Sequence, residues 1–366
     1  PLAGDRASDL LRRLGEAGPV AVYDPEGQAS LFNLFYDLEE LVTAGTYVQA
    51  VTQAGRPVLG HPAQLITELP RSGAGTLLVA AFDAERTIGH IRHLLPEGCT
   101  VASFDALRLP ATMLSNPKRT LDPNNYATNF VFFRSTDDDR MRLVTVNYWA
   151  GYGASSLRLW CRLYDTAGQV LAEWEEPVAP GISTTTLDSA EVRRRFDLPP
   201  FTGQLFVHAI GATGHDMVKY ALDTLGGEGD PLECFSATHD ANAWPADFYG
   251  GLPAPRDGEQ VILWLQNSHP TAIPAGAIGL ARMGEEAVRT LPLEIPPFGT
   301  HPLSVADLFP EDRWPTQYEV HAGRHFVRPR YEVLLASGRR CVAHINVERT
   351  DLKPDPALAS LPKELG

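Results

Sequence analysis

The feature that most constrains this chain is a change of hydrophobic period near residue 116. Before it, short apolar runs alternate with stretches of helical spacing. Val20-Ala21-Val22-Tyr23 reads as a buried strand and Asp24-Pro25-Glu26-Gly27 as a turn, and Ala29 to Leu41 then repeats Leu31, Leu34, Phe35, Leu38 and Leu41 as a helix. The alternation continues with a strand at Tyr47 to Val51, a helix at Pro62 to Leu69, a strand at Leu77 to Phe82, a helix at Glu85 to Leu95 and a strand at Thr100 to Phe104. A short amphipathic helix, Ser8 to Gly15, precedes them all. Strands separated by helices of this length build a parallel sheet through right-handed crossovers. Residues 1–115 are therefore expected to form one small, doubly wound α/β domain.

Residues 116–127, with Asn116-Pro117-Lys118 and Asp122-Pro123-Asn124-Asn125, stop helices and read as a linker. Beyond them the pattern is all strand: Phe130 to Phe133, Arg142 to Trp149, Leu157 to Tyr164, Val170 to Trp174, Gln204 to Ile210 and Met217 to Leu222. This half also repeats itself. Gln204-Leu205-Phe206-Val207-His208-Ala209 parallels Gln317-Tyr318-Glu319-Val320-His321-Ala322, Lys219-Tyr220 parallels Arg330-Tyr331, and Cys234 parallels Cys341. Upstream, Pro180-Gly181 with Leu187 and Ala190-Glu191-Val192 parallels Phe298-Gly299 with Val305 and Ala306-Asp307-Leu308. The expected fold class is thus α/β plus all-β, the second part being two related β-sandwich modules at 128–245 and 259–352. A Pro/Gly linker at 246–258 joins them, and residues 353–366 form an exposed tail.

A chain of 366 residues exceeds what one core usually holds, in agreement with several domains. Its formal net charge of −14 opposes any general polyanion-binding surface, which argues against nucleic acid and anionic membrane as partners. The run Arg193-Arg194-Arg195 and the scatter Arg324, Arg328, Arg330, Arg339 and Arg340 read as solvated faces. Cys99, Cys161, Cys234 and Cys341 form no C-x-x-C, so neither a zinc knuckle nor a dithiol redox motif is present. Without a signal-peptide pattern or an apolar run of about 20 residues, the expectation is a soluble, cytoplasmic chain with no membrane span.

Val20 to Tyr23, the Gly27 turn, Gly55-Arg56-Pro57-Val58-Leu59-Gly60 and Leu77 to Phe82 together resemble the small Rossmann-like, nucleotide-sugar-binding front domain of bacterial sugar O-acyltransferases and some sugar methyltransferases. The resemblance covers about the first 110 residues. It implies a glycine-rich turn that holds phosphate on backbone N–H groups and a helix N-terminus. Of that turn only Gly27 is kept as a cofactor-binding candidate. Pro25 removes a donor, and Asp24 and Glu26 put negative charge where phosphate would sit, so the residues predict a scaffold with a degenerate loop, and no cofactor is assigned. The β-rich remainder matches neither family's catalytic part.

Two constellations remain. His215-Asp216 and His239-Asp240 could supply metal ligands or an acid–base pair if the fold brings them together, or simply hold turns. Tyr148, Trp149, Tyr152 and Trp244 are candidate ligand-binding aromatics, because exposed rings beside polar groups bind sugars, although buried rings are core. His208 and His321, at matching strand positions, read as core histidines. G-x-S-x-G, H-E-x-x-H and the Walker lysine loop are all absent. The leading reading is a non-catalytic binding or assembly protein that presents tandem β modules to a protein partner or carbohydrate-related ligand, with homo-oligomerisation open. The alternatives are a sugar-directed, metal-assisted enzyme centred on the His-Asp pairs and a nucleotide-sensing regulator.

Overall fold

A computed structural model describes residues 1–227, 234–240, 246, 248–322, 325 and 327–347. The candidate Trp244, as well as Arg324 and the tail from 353, lies outside the described residues. The chain divides into two compact units, Pro1–Asn125 with His269–Thr271, and Tyr126–Ser268 with Ala272–Gly366. No helix among the described residues is long and apolar enough to cross a membrane.

In the first unit, α1 (Gly4–Glu16) buries Ala7, Leu10 and Leu14, one face of a 3.6-residue period. Strand β1 (Val20–Tyr23) is buried at every position, as a strand covered on both faces must be. Helix α2 (Gln28–Asn33) is far shorter than the predicted Ala29 to Leu41, and Leu31 and Leu34 are exposed. The Asn33 side chain accepts the Glu39 N–H at 2.9 Å, a local bond that competes with helix continuation. The second strand, β2 (Val42–Val48), starts earlier than its sequence pattern predicts. Strands β3 (Pro57–Val58) and β4 (His61–Pro62) form a hairpin whose two turn residues, Leu59 and Gly60, both have positive φ. The predicted helix Pro62 to Leu69 is replaced by β4, β5 (Gln64–Leu65) and a 3-10 turn, Ile66–Arg71, because its first residues are drawn into strand pairing with β3 and β2.

Strand β6 (Thr76–Val79), helix α3 (Glu85–Ile91) and strand β7 (Thr100–Ser103) complete the unit. Its five-stranded sheet has the order β5-β2-β1-β6-β7, with every pair parallel. Val20, Val22 and Leu78 pack with α1 on one face, and Ala21, Tyr23, Leu77 and Val79 pack with Tyr47 and Ile91 on the other.

The second unit is antiparallel throughout its sheets. Its first strand set comprises β8 (Thr128–Ser135), β9 (Asp139–Val146), β10 (Leu157–Asp165), β11 (Val170–Val178), β12 (Thr184–Asp188), β13 (Phe201–Ile210), β14 (Tyr220–Gly226) and β15 (Cys234–Asp240), with α4 (Ser189–Arg195) after β12. One half runs β11-β10-β13-β8 and the other β12-β9-β14-β15, joined by the pair Ser135 and Arg140. Both halves contribute to one core, including Phe133, Leu143, Leu159, Leu187, Val207 and Leu222.

The second set comprises β16 (Phe248–Pro253), β17 (Gln260–Asn267), β18 (Gly279–Arg282), β19 (Arg289–Thr290), β20 (Thr300–Ser304), β21 (Gln317–His321), β22 (Val327–Leu334), β23 (Arg340–His344) and β24 (Asn346–Val347), with α5 (Val305–Leu308) after β20. Its sheets run β19-β18-β21-β16-β24 and β20-β17-β22-β23. Apart from β24, this is the order of the first set strand for strand, with the short helix in the same place.

Three further sequence expectations need correction. The segment 246–258, expected as a linker, contains β16, which pairs with β21. Gly251, at φ 91°, sits at a bulge between Gly250 and Leu252, so the glycines bend a strand where they read as a joint. Cys234 and Cys341 are not equivalent. With Tyr220 and Tyr331 aligned, Leu222 corresponds to Val333, and their cross-strand partners are Thr238 and Cys341.

The third correction concerns Arg328 and Arg330, expected on a solvated face. Arg328, Arg330 and Glu332 occupy one face of β22 and meet the first strand set, while Val327, Tyr331 and Val333 pack into the second core. Arg330 pairs with Asp240 and donates to the Tyr220 hydroxyl at 3.2 Å, and Arg328 donates to Asn129. Glu332, fully buried, accepts from Arg134 at 2.7 Å and from the Trp264 indole at 3.0 Å, and Arg134 also pairs with Asp139. Phe132 and Trp264 pack at 5.0 Å between ring centres, and Gln204 donates to the Asn267 carbonyl at 2.8 Å. The two sets thus share a buried seam of aromatic rings and matched charge.

Candidate functional site

In the parallel sheet the strand order reverses between β1 and β6, and ligands of open α/β sheets bind at the carboxyl ends of such strands. Here backbone N–H groups after β1 and after β6 are bonded to carboxylates of the chain itself. The Asp24 carboxylate, 3% exposed, accepts the N–H groups of Gln28 at 2.8 Å and Ala29 at 3.2 Å, the start of α2. Burial pushes its pKa up against the pull of those N–H groups, so the chain bears an electrostatic cost to keep it there. Beyond β6, Asp105 accepts the N–H groups of Asp83 and Ala84, both at 2.9 Å, and the Arg108 guanidinium at 2.6 Å. Burial works to raise the Asp105 pKa, but Arg108 and the two N–H groups outweigh it and hold the carboxyl below its ordinary value. Gly27 adopts φ 78°, and a Cβ added there would meet nothing within 4 Å. Its glycine serves the left-handed turn.

The second candidate region lies after β9. Asn147 accepts the Ala150 N–H at 3.2 Å and starts a 3-10 turn, Tyr148–Tyr152, which Gly153 ends at φ 91°. Trp149 is fully buried, and its indole donates to the His215 carbonyl at 2.9 Å. Tyr148 stacks on Trp149 at 4.1 Å, donates its hydroxyl to the Met217 carbonyl and accepts the Lys219 N–H at 3.3 Å. Its burial, with Asp216 adding to the effect and the Lys219 N–H opposing it, pushes the phenol to about 12. Tyr152 is 57% exposed, and its hydroxyl lies 3.0 Å from His215 Nε2. The His215 ring meets both tyrosines edge-on.

The fold therefore gathers Tyr148, Trp149, Tyr152 and His215, four of the residues singled out by sequence, with Asp216 exposed beside them. It gives His239 and Asp240 other partners. The His239 ring packs against His344 at 4.9 Å, and Asp240 is held by Arg330 and Arg328. Among the described residues, no group of three or more His, Cys, Asp or Glu side chains is placed to hold a metal ion. Sequence reading gave no site role to Gly214 or Lys219, although both stand in motifs it singled out. A Cβ on Gly214 would come within 2.5 Å of the Tyr152 ring, and the Lys219 ammonium stands 5.5 Å over the Tyr148 ring. The chain matches no family model and no curated relative.

Proposed function

We propose that the protein is a non-catalytic binding or assembly protein, in which a Rossmann-like unit serves as scaffold and two related β-sandwich modules present the recognition surface. The observation that carries this reading is the occupation of both anion seats of the parallel sheet by Asp24 and Asp105. A phosphate arriving there would have to displace a carboxylate already bonded to the same N–H groups. The matching strand orders support the relation between the β modules, and their buried seam supports their action as one body. The partner is a protein or carbohydrate-related ligand in a cytoplasmic setting.

The test is a panel of nucleotides, nucleotide sugars and acyl donors, read by thermal shift and by product formation. Binding a ligand at about 100 times its Kd would add about 2.7 kcal/mol of stability and so a clear rise in Tm. The expected result is no shift and no product. Turnover of any donor overturns the reading, and a nucleotide-induced shift without turnover points to the nucleotide-sensing alternative.

A further inference from the structure

Resting on the reading of this chain as a binding protein, we propose that the Tyr152 ring is the stacking platform of a carbohydrate site, with a neutral or acidic pyranose as its ligand. Most exposed aromatic side chains are free to swing. This one is fixed at both ends. Gly214 lies so close to the base of the ring that no side chain fits between them, and His215 holds the hydroxyl at 3.0 Å. The loop carrying Gly214 and His215 is itself pinned. Trp149 donates to the His215 carbonyl, Tyr148 to the Met217 carbonyl, and the Lys219 N–H to Tyr148. Thr213 adds a bond from its hydroxyl to the Tyr152 carbonyl at 3.2 Å. Tyr152, 57% exposed and held at both ends, is thus a preorganised side chain, and a ligand that stacks on its ring incurs little ordering cost.

The surroundings select among ligands that stack. A pyranose offers an apolar C–H face to the ring and hydroxyls at its edge, and here the His215 imidazole stands at the ring's hydroxyl end, with the exposed Asp216 next to it in the chain and the Lys219 ammonium over the neighbouring Tyr148 ring. A cationic ligand is disfavoured because Lys219 already occupies the neighbouring Tyr148 ring. A hydrophobic segment is disfavoured because the ring's neighbour at its hydroxyl end is a polar imidazole and the residue after it is an exposed carboxylate. In the second strand set, the stretch that follows β17 reads Ser268-His269-Pro270-Thr271-Ala272, with no Phe, Tyr or Trp, so the tyrosine platform belongs to the first set.

The experiment is saturation-transfer NMR on the full chain with the methyl glycosides of glucose, galactose, mannose and N-acetylglucosamine and with glucuronic acid, followed by titration. Adenosine serves as a generic stacking control. At least one sugar should bind saturably, with Kd of about 1–10 mM, as befits a one-ring site. Tyr152→Ala should weaken it about tenfold or more, while Tyr152→Phe, which keeps the ring, should stay within about threefold. Because Tyr152 is largely exposed, both variants should fold, which an unchanged Tm would verify. If no sugar saturates, if Tyr152→Ala binds as the parent does, or if adenosine binds as tightly as the best sugar, the site is wrong, whatever the fate of the binding reading. If a bound glycoside is consumed, the platform stands and the non-catalytic reading falls.

Discussion

The outer faces of two equivalent sheets, β11-β10-β13-β8 and β19-β18-β21-β16, show what one topology can be made to do twice. In the first, Phe206 packs against Phe130 at 4.9 Å and Trp160 at 5.9 Å, and Phe132 and Arg134 extend the same face to Trp264 and Glu332. In the second, the cross-strand pairings place Glu319 where the first has Phe206, Gly250 where it has Phe130, and Gly279 where it has Trp160. A Cβ on Gly279 would come within 2.5 Å of Val288, so the chain's own β18–β19 connection fills the space the indole takes in the first copy. One face is built to receive a neighbouring sheet and the other is closed by local structure. That is the division between an inner and a terminal unit in stacked repeats, where an outward face of polar or small residues prevents further growth.

Substitutions that make one copy resemble the other should break this division. The largest effect is expected for Phe206→Glu, which installs the second copy's residue in a site only 2% exposed. It should cost about 5 kcal/mol or more in guanidinium unfolding, whereas Glu319→Ala should stay within about 0.5 kcal/mol. A small cost for Phe206→Glu would show that the aromatic face is not what seats the second set. Next, Trp264→Ala should cost about 3–5 kcal/mol, because the indole joins the first core and donates to Glu332. Its counterpart by strand register is Val146, 42% exposed.

The seam should also respond to pH. Burial works to raise the Glu332 pKa, but Arg134 outweighs it and the carboxyl is held below its ordinary value. A depressed carboxyl pKa gives stability that is present above the unfolded-state value of ~4.3 and is lost as pH falls through the folded-state value. Glu332→Gln should cost about 1–3 kcal/mol at pH 7 and should flatten the loss of stability below ~pH 4.3. An acid limb as steep in the variant as in the parent would assign that loss to other carboxylates. The smallest effect is expected for Val146→Ala, within about 0.5 kcal/mol by the same unfolding measurement.

Much of this architecture was legible in the sequence because local rules and the fold agree. Val20 to Tyr23 and Leu77 to Val79 are continuous apolar runs and fall in the interior of the parallel sheet. The Gln204 and Gln317 strings fall on β13 and β21, at the same place in the two strand orders. What could not be read depends on partners distant in sequence. Arginines at 328 and 330 look solvated until Asp240 is brought to them from the other strand set. Gly250-Gly251 looks like a joint because the chemistry of a bulge and that of a linker are the same in one dimension. At the candidate site, the aromatic letters of Tyr148 to Tyr152 were visible. That His215 would join them while His239 would not is a matter of strand register, which no local pattern encodes.

Asp24 has one more implication. A phosphate-binding turn is complete only when its ligand is present, so its order rises and falls with ligand supply. The turn after β1 carries its negative charge on its own backbone, tethered a few residues from the N–H groups it satisfies. It is in effect always occupied. On the scaffold reading proposed above, its shape should be the same in a nucleotide-rich and a nucleotide-starved cell, and the α/β unit would act as a constant mount.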